Sequence, residues 1–339
     1  MLKPVTPFTS AHRSEAGFSL PELLISVTVL LIISSAVTSA LLQMTDSQRT
    51  IWNRTQLHAG VRSATELLQQ EVGQAGRIVL PGTATLAAAV LAGPQTVGVN
   101  INGAVPATMS GFFVGERLVV AVGGPTPCVV TSPCEETVVL TAVDTGTKQV
   151  TATFALAHFA GAAVHALGGF GTGIVPPAPP TGTYPNGSTA TVLKLFGDIN
   201  GDGNMVYVEY TCDPLPATGN LYRNVMPYDQ TTAKLAVTSS QVLLSNIQTN
   251  PGGTACFTYM PSPLPVVGAD TFVLDVAITL TVQTQVVDPI TKQYQTETKA
   301  LLNVSPRNVF NVWQLASAGV VDRVQPIPPT VVALLPPLP

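Results

Sequence analysis

The hydrophobic pattern divides the chain at once. From Leu23 to Thr45 no residue carries a charge. At ~1.5 Å per residue these 23 positions make a helix of ~34 Å, long enough for a bilayer core of ~30 Å. One acid, Glu22, stands at the mouth of this run. A carboxylate there is expensive in hydrocarbon and asks for a cation. Past the run the pattern becomes one-faced. Leu57, Val61, Ala64, Leu68, Val72 and Ala75 recur at helical spacing, with Arg49, Arg54, Arg62, Glu66, Gln69, Gln70 and Glu71 in other directions. Gly76 is the expected C-cap and Pro81 confirms the stop. A single helix over 18–76 is predicted, spanning a membrane at about 23–45 and laying its later stripe on a sheet.

The period then changes from helical to alternating. Residues 81–110 read as a loop or weak strands. Phe112–Val122, Thr137–Val143 and Gln149–Leu156 are β-rich runs separated by Gly123-Gly124 and Asp144-Thr145-Gly146, and predict an inserted β-subdomain ending near Ala166. A Gly/Pro linker follows to residue 189, stiffened by Pro176-Pro177-Ala178-Pro179-Pro180. A second β block opens with residues 191–196 and 205–210. Leu274, Val276, Ile278, Leu280 and Val282 alternate with Asp275, Thr279 and Thr281, a half-buried strand whose expected hairpin partner is Gln295–Val304. The fold class expected is α+β: a long N-terminal helix on an antiparallel sheet. Its parts are a leader (1–17), the helix (18–76), a β-rich insert with linker (77–189) and a C-terminal β-domain (190–312). A Pro-rich tail (313–339) completes it, with Pro326 to Pro339 expected to be mobile.

Composition agrees with a turn-rich β body: charged residues make 10% of 339, with 29 Pro and 28 Gly. A formal net charge of −4 without a basic patch indicates no nucleic-acid partner. Basic residues before the apolar run favour a cytoplasmic N-terminus and an exported body.

The residues at the boundary resemble a known signal. Gly17-Phe18-Ser19-Leu20-Pro21-Glu22-Leu23-Leu24 is similar to the class III signal of type IV pilins and type II secretion pseudopilins. The resemblance implies cleavage after Gly17 by a prepilin peptidase and N-methylation of Phe18. It also implies that Glu22 pairs with the Phe18 amine of a neighbouring subunit. Partners would be other pilins through their N-terminal helices and an inner-membrane pilus assembly platform. The single-pass subunit would start in the inner membrane, with its body periplasmic, and end in a surface pilus. Glu66–Gly76 and the C-terminal order of a strand of Ile278-Thr279-Leu280-Thr281-Val282 type, then a strand ending in Ser305-Pro306-Arg307-Asn308-Val309, resemble the large minor pilins of the PilW type. The same signal suits a type II secretion pseudopilin. A membrane-tethered adhesin, or a Ca²⁺-dependent binding module that never polymerises, is the reading from another class.

Four cysteines lie in the exported part, where disulfides are the default; spacing favours Cys128–Cys134 and Cys212–Cys256, and C-x5-C without nearby His is poor zinc spacing. Asp198-Ile-Asn200-Gly-Asp202-Gly203-Asn204 with Glu209 matches an EF-hand-like loop, so Ca²⁺ is a possible ligand and no cofactor is required. The flanks read as strands, however. An extended run puts Glu209 ~16 Å beyond Asn204, too far to close a cage. The competing reading is a hairpin turn built on Asn-Gly and Asp-Gly. His158 and His165 read as packing or surface residues. No nucleophile elbow, zincin motif, P-loop or dinucleotide fingerprint occurs, so the chain is not expected to be an enzyme.

Overall fold

The computed structural model describes residue 17 and residues 19–103, 109–122, 135–178, 184–214, 219–229, 234 and 241–336. The apolar run and the amphipathic stripe form one helix, α1 (Leu20–Gln74), with Pro21 in its first turn, where a missing N–H costs nothing. The stripe residues Leu57, Val61, Ala64, Leu68, Val72 and Ala75 are all buried, as their spacing predicts. Gly76 then turns the chain away at φ +82°. Its N–H donates to the Phe196 carbonyl and its own carbonyl accepts from Phe170 N–H, both at 2.9 Å. A Cβ at this position would sit 2.8 Å from the Phe170 carbonyl oxygen, so both the angle and the space require glycine.

Six strands follow: β1 (Thr83–Leu86), β2 (Gly93–Asn102), β3 (Arg117–Ala121), β4 (Glu135–Asp144), β5 (Gln149–Phe154) and β6 (Ala163–Ala166). They close into an antiparallel barrel in the order β1-β2-β5-β4-β3-β6 around Leu86, Val99, Leu118, Leu140, Val150, Phe154 and Val164. The stretch expected to be loop or weak strands therefore supplies two barrel staves.

After β7 (Gly169–Phe170), strands β8 (Val192–Gly197), β9 (Val206–Asp213), β10 (Asn220–Pro227) and β11 (Val242–Ser245) form a sheet in the order β11-β10-β9-β8. β12 (Ile247–Gln248) and β13 (Phe257–Met260) pair with β16 (Asp275–Gln283), after a small hairpin of β14 (Val266–Val267) and β15 (Asp270–Thr271); β17 (Thr296–Val304) pairs with the other edge of β16. The alternation in β16 holds: Val276, Ile278 and Leu280 point into the same core as the α1 stripe, together with Leu193, Leu195, Val208 and Tyr210. Cys212 at the end of β9 is bonded to Cys256 beside β13, joining the two sheets. Closing a loop of 44 residues stabilises the fold by ~4 kcal/mol in the chain-entropy picture. The Cys128–Cys134 pairing lies outside the described residues.

The C-terminal segment corrects the expectation of a mobile tail. Arg307–Ser317 is a helix, α2, burying Val309, Val312 and Ala316. β18 (Val324–Gln325) pairs parallel with β7, and Pro329–Leu334 forms a short helix, α3. Val331, Leu334 and Leu335 enter a cluster with Phe170, Phe196, Tyr207, Met226 and Tyr228. Apolar residues between the prolines hold the tail down, and Pro329 suits a first helical turn.

Candidate functional site: the N-terminal helix and its anchorage

The projecting half of α1 makes no contact that shields it. Every residue from Leu20 to Thr45 is exposed, although this segment is long and apolar enough to cross a membrane. Four of its hydroxyls bond back to the helix itself. Ser26 and Thr28 donate to the carbonyls of Glu22 and Leu24 at 2.8 Å, Ser35 to Ile32 at 2.8 Å and Thr45 to Leu41 at 2.9 Å. Back-bonding of this kind spares a hydroxyl the need for water, which suits a helix in lipid. Glu22 lies in the first turn, fully on the surface, and enters none of the ion pairs among the described residues. Gly17 is exposed ahead of it; Phe18 lies outside the described residues.

The other half of α1 is locked to the body by Glu71, a position that the helical pattern predicts to face away from the core. Glu71 does not face away from the core: it is 3% exposed. Its carboxylate accepts from Arg223 Nε (3.0 and 3.2 Å) and Nη2, and from the Tyr210 hydroxyl. Burial, then the Glu71 charge, pushes the Tyr210 phenol well above its ordinary value, so it remains a donor. The available signal was positional: Glu71 stands three residues after Leu68 and seven after Ala64, on the flank of the buried stripe.

The acidic loop joins β8 to β9 in a hairpin, with Gly197 opposite Val206. Asp198 is fully buried. Its Oδ1 accepts from the Asp202 N–H at 3.1 Å, and its Oδ2 lies 3.5 Å from Arg77 Nε. Asp202 Oδ1 accepts from Asn204 N–H at 2.9 Å, while Asn200 is exposed. Glu209 is not brought to this loop. It faces Lys194 across the β8–β9 ladder, and its carboxylate takes the Tyr207 hydroxyl at 2.7 Å and the Lys234 ammonium. Strand geometry carries it ~10 Å from the loop's mouth at Val206. Among the described residues no three His, Cys, Asp or Glu side chains cluster closely enough to hold a metal ion.

His158 is buried in the barrel with Nδ1 at 2.9 Å from the Ala121 carbonyl and Nε2 at 2.6 Å from Glu136 Oε1, whereas His165 is exposed.

Residues 12–38 match the family described as the prokaryotic N-terminal methylation motif. No curated protein and no solved structure matches the chain. The match joins the leader to the first half of α1 and marks a prepilin of the type IV pilin or pseudopilin kind. Such proteins are structural rather than catalytic. The motif implies processing by prepilin peptidase and assembly with other pilins, and with the exposed apolar helix it fits a membrane-anchored subunit that later enters a filament.

Proposed function

We propose that this chain is a minor pilin of a type IV pilus, cleaved after Gly17, methylated at Phe18 and inserted in or at the tip of the fibre. The observation that carries the reading is the division of α1. One half buries its stripe in the body, whereas the other presents an unshielded apolar rod headed by an acid that has no ion-pair partner among the described residues. Such a rod can repeat a heterologous contact indefinitely, which is how open filaments form. In a low-dielectric bundle of these helices Glu22 would be neutralised by the Phe18 amine of a neighbour. An uncompensated carboxylate there costs several kcal/mol, enough to reject a mispaired subunit.

The sequence resemblance of the Ile278–Val282 and Ser305–Val309 runs to PilW-type minor pilins supports the finer assignment, although Arg307 opens a helix and not a strand end, and the bulk of the barrel suits an exposed position better than a packed shaft. A type II secretion pseudopilin would use the same rod in a short piston, and neighbouring genes for pilus assembly or for secretin export distinguish the two. A tethered adhesin would not polymerise at all. The test is Glu22→Ala. Membrane insertion and leader removal should be unchanged, and recovery in sheared filaments should fall below detection. Normal incorporation of the variant would overturn the proposal.

A further inference from the structure

Helix α1 and strand β17 run side by side, and their contacts advance in step. Glu297 meets His58, with Oε2 2.5 Å from Nδ1; Leu301 borders a cleft with Val61 and Thr65; Val304 borders one with Gln70 and Gln74. In the opposite direction, the connection between β16 and β17 (284–295) comes level with residues 50–54 of α1. There Arg54 Nε donates to Gln295 Oε1 at 2.9 Å, and Trp52 and Asn53 line a cleft with Thr284, Gln285 and Val286. Asp288 lies within hydrogen-bonding reach of Thr50. Thr50 is five residues past the end of the uncharged run, ~7.5 Å along the axis. A headgroup layer is ~5–8 Å thick on each side of the hydrocarbon core. The connection therefore stands at headgroup height beside the helix exit.

Its surface is composed for that layer. Ile51, Trp52, Val286, Val287, Ile290 and Tyr294 are exposed here, Trp52 at 72% and Ile290 at 57%. Helical side chains lean toward the N-terminus, so Trp52 reaches back toward the membrane. Trp and Tyr favour the interface, where an apolar ring and a polar tip are both accommodated. Arg49, Arg54 and Lys292 are exposed around them. The connection's single acid, Asp288, is withdrawn: it is fully buried and accepts from the Ile290 and Thr291 N–H groups, both at 2.8 Å. An apolar tip ringed by cations with its acid turned inward complements anionic lipid.

We infer that the β16–β17 connection is a second membrane contact, resting among the headgroups of an anionic bilayer while the subunit is held by α1. The inference depends on α1 crossing the membrane, as the proposed function requires. Two contacts, one spanning and one lateral, would fix the body's tilt and rotation before it joins a filament.

The experiment places single tryptophans in the full chain. With Trp52→Phe and Trp313→Phe as background, Leu30→Trp probes the span, Ile290→Trp the connection and Val321→Trp an exposed site on the body. Each variant is reconstituted at about one chain per vesicle, which removes neighbour contacts, into phosphatidylcholine–phosphatidylglycerol vesicles. The lipids are brominated near the headgroup end of their acyl chains. Expected are quenching at position 30, quenching with blue-shifted emission at position 290, and neither at position 321. Quenching at 30 with position 290 behaving like 321 would overturn the lateral contact and leave the span standing. Absence of quenching at 30 would overturn both. Equal quenching at 290 in vesicles lacking phosphatidylglycerol would overturn the anionic preference.

Discussion

Glu22 and Glu71 lie on one helix in opposite electrostatic circumstances. Glu71 meets Arg223 and Tyr210 inside the chain. Glu22 meets no cation among the described residues, and its environment in water conceals what a membrane would charge for it. Removing one partner of a buried pair commonly costs 3–5 kcal/mol; with the Arg223 side chain 25% exposed, Glu71→Ala should lose about 3. Glu71→Gln, which still accepts from Tyr210, should fall between it and the parent. Thermal unfolding of the detergent-held chain checks both, and an unchanged midpoint for Glu71→Ala would contradict the anchorage. Both acids were visible in the sequence. Glu22 stands out against 23 uncharged residues, whereas Glu71 adjoins Gln69 and Gln70 and reads as one more polar position. Glu209 shows the converse. A motif's spacing placed it at the acidic loop, but strand β9 carries it to Lys194, Lys234 and Tyr207.

At the scale of elements, what the sequence disclosed follows the range of the interactions. The buried stripe of α1 and the alternation in β16 are local periodicities, each set by one element facing one core. Closure of the barrel is not local: β1 pairs with β6 some eighty residues later, and nothing in Thr83–Leu86 announces its partner. The tail failed for the same reason. Its prolines are a local signal of disorder, but Val331, Leu334 and Leu335 find a distant apolar cluster, and Lys194 Nζ donates to the Leu335 carbonyl at 2.5 Å. Burial, partly offset by Glu209, pushes that ammonium down to about 8 from 10.5. Below pH 8 the folded and unfolded chains both hold the proton, and the cost of burying the charge is constant. Between 8 and 10.5 only the unfolded chain holds it, so this group's contribution to stability rises with pH. The difference in unfolding midpoint between the parent and Lys194→Met should shift in the parent's favour across that window. A flat difference would remove the assigned cause.

At the scale of the whole molecule, α1 divides into a half that the body buries and a half that it leaves exposed. Its C-terminal half completes the core formed with β8–β10 and β16, and its N-terminal half leaves the body with its apolar surface uncovered. The barrel, the two sheets joined by Cys212–Cys256 and the tucked tail make up the body that this one helix leaves. In the proposed function, removal of the leader would start that helix with a free amine able to answer Glu22. The most direct measurement is the N-terminus of the chain recovered from membranes of cells with and without an active prepilin peptidase, read by sequencing and mass spectrometry. The account predicts a chain starting at Phe18 and carrying one N-methyl group when the peptidase is present, and a retained leader when it is absent. A membrane form that keeps residues 1–17 in the presence of the peptidase would contradict it.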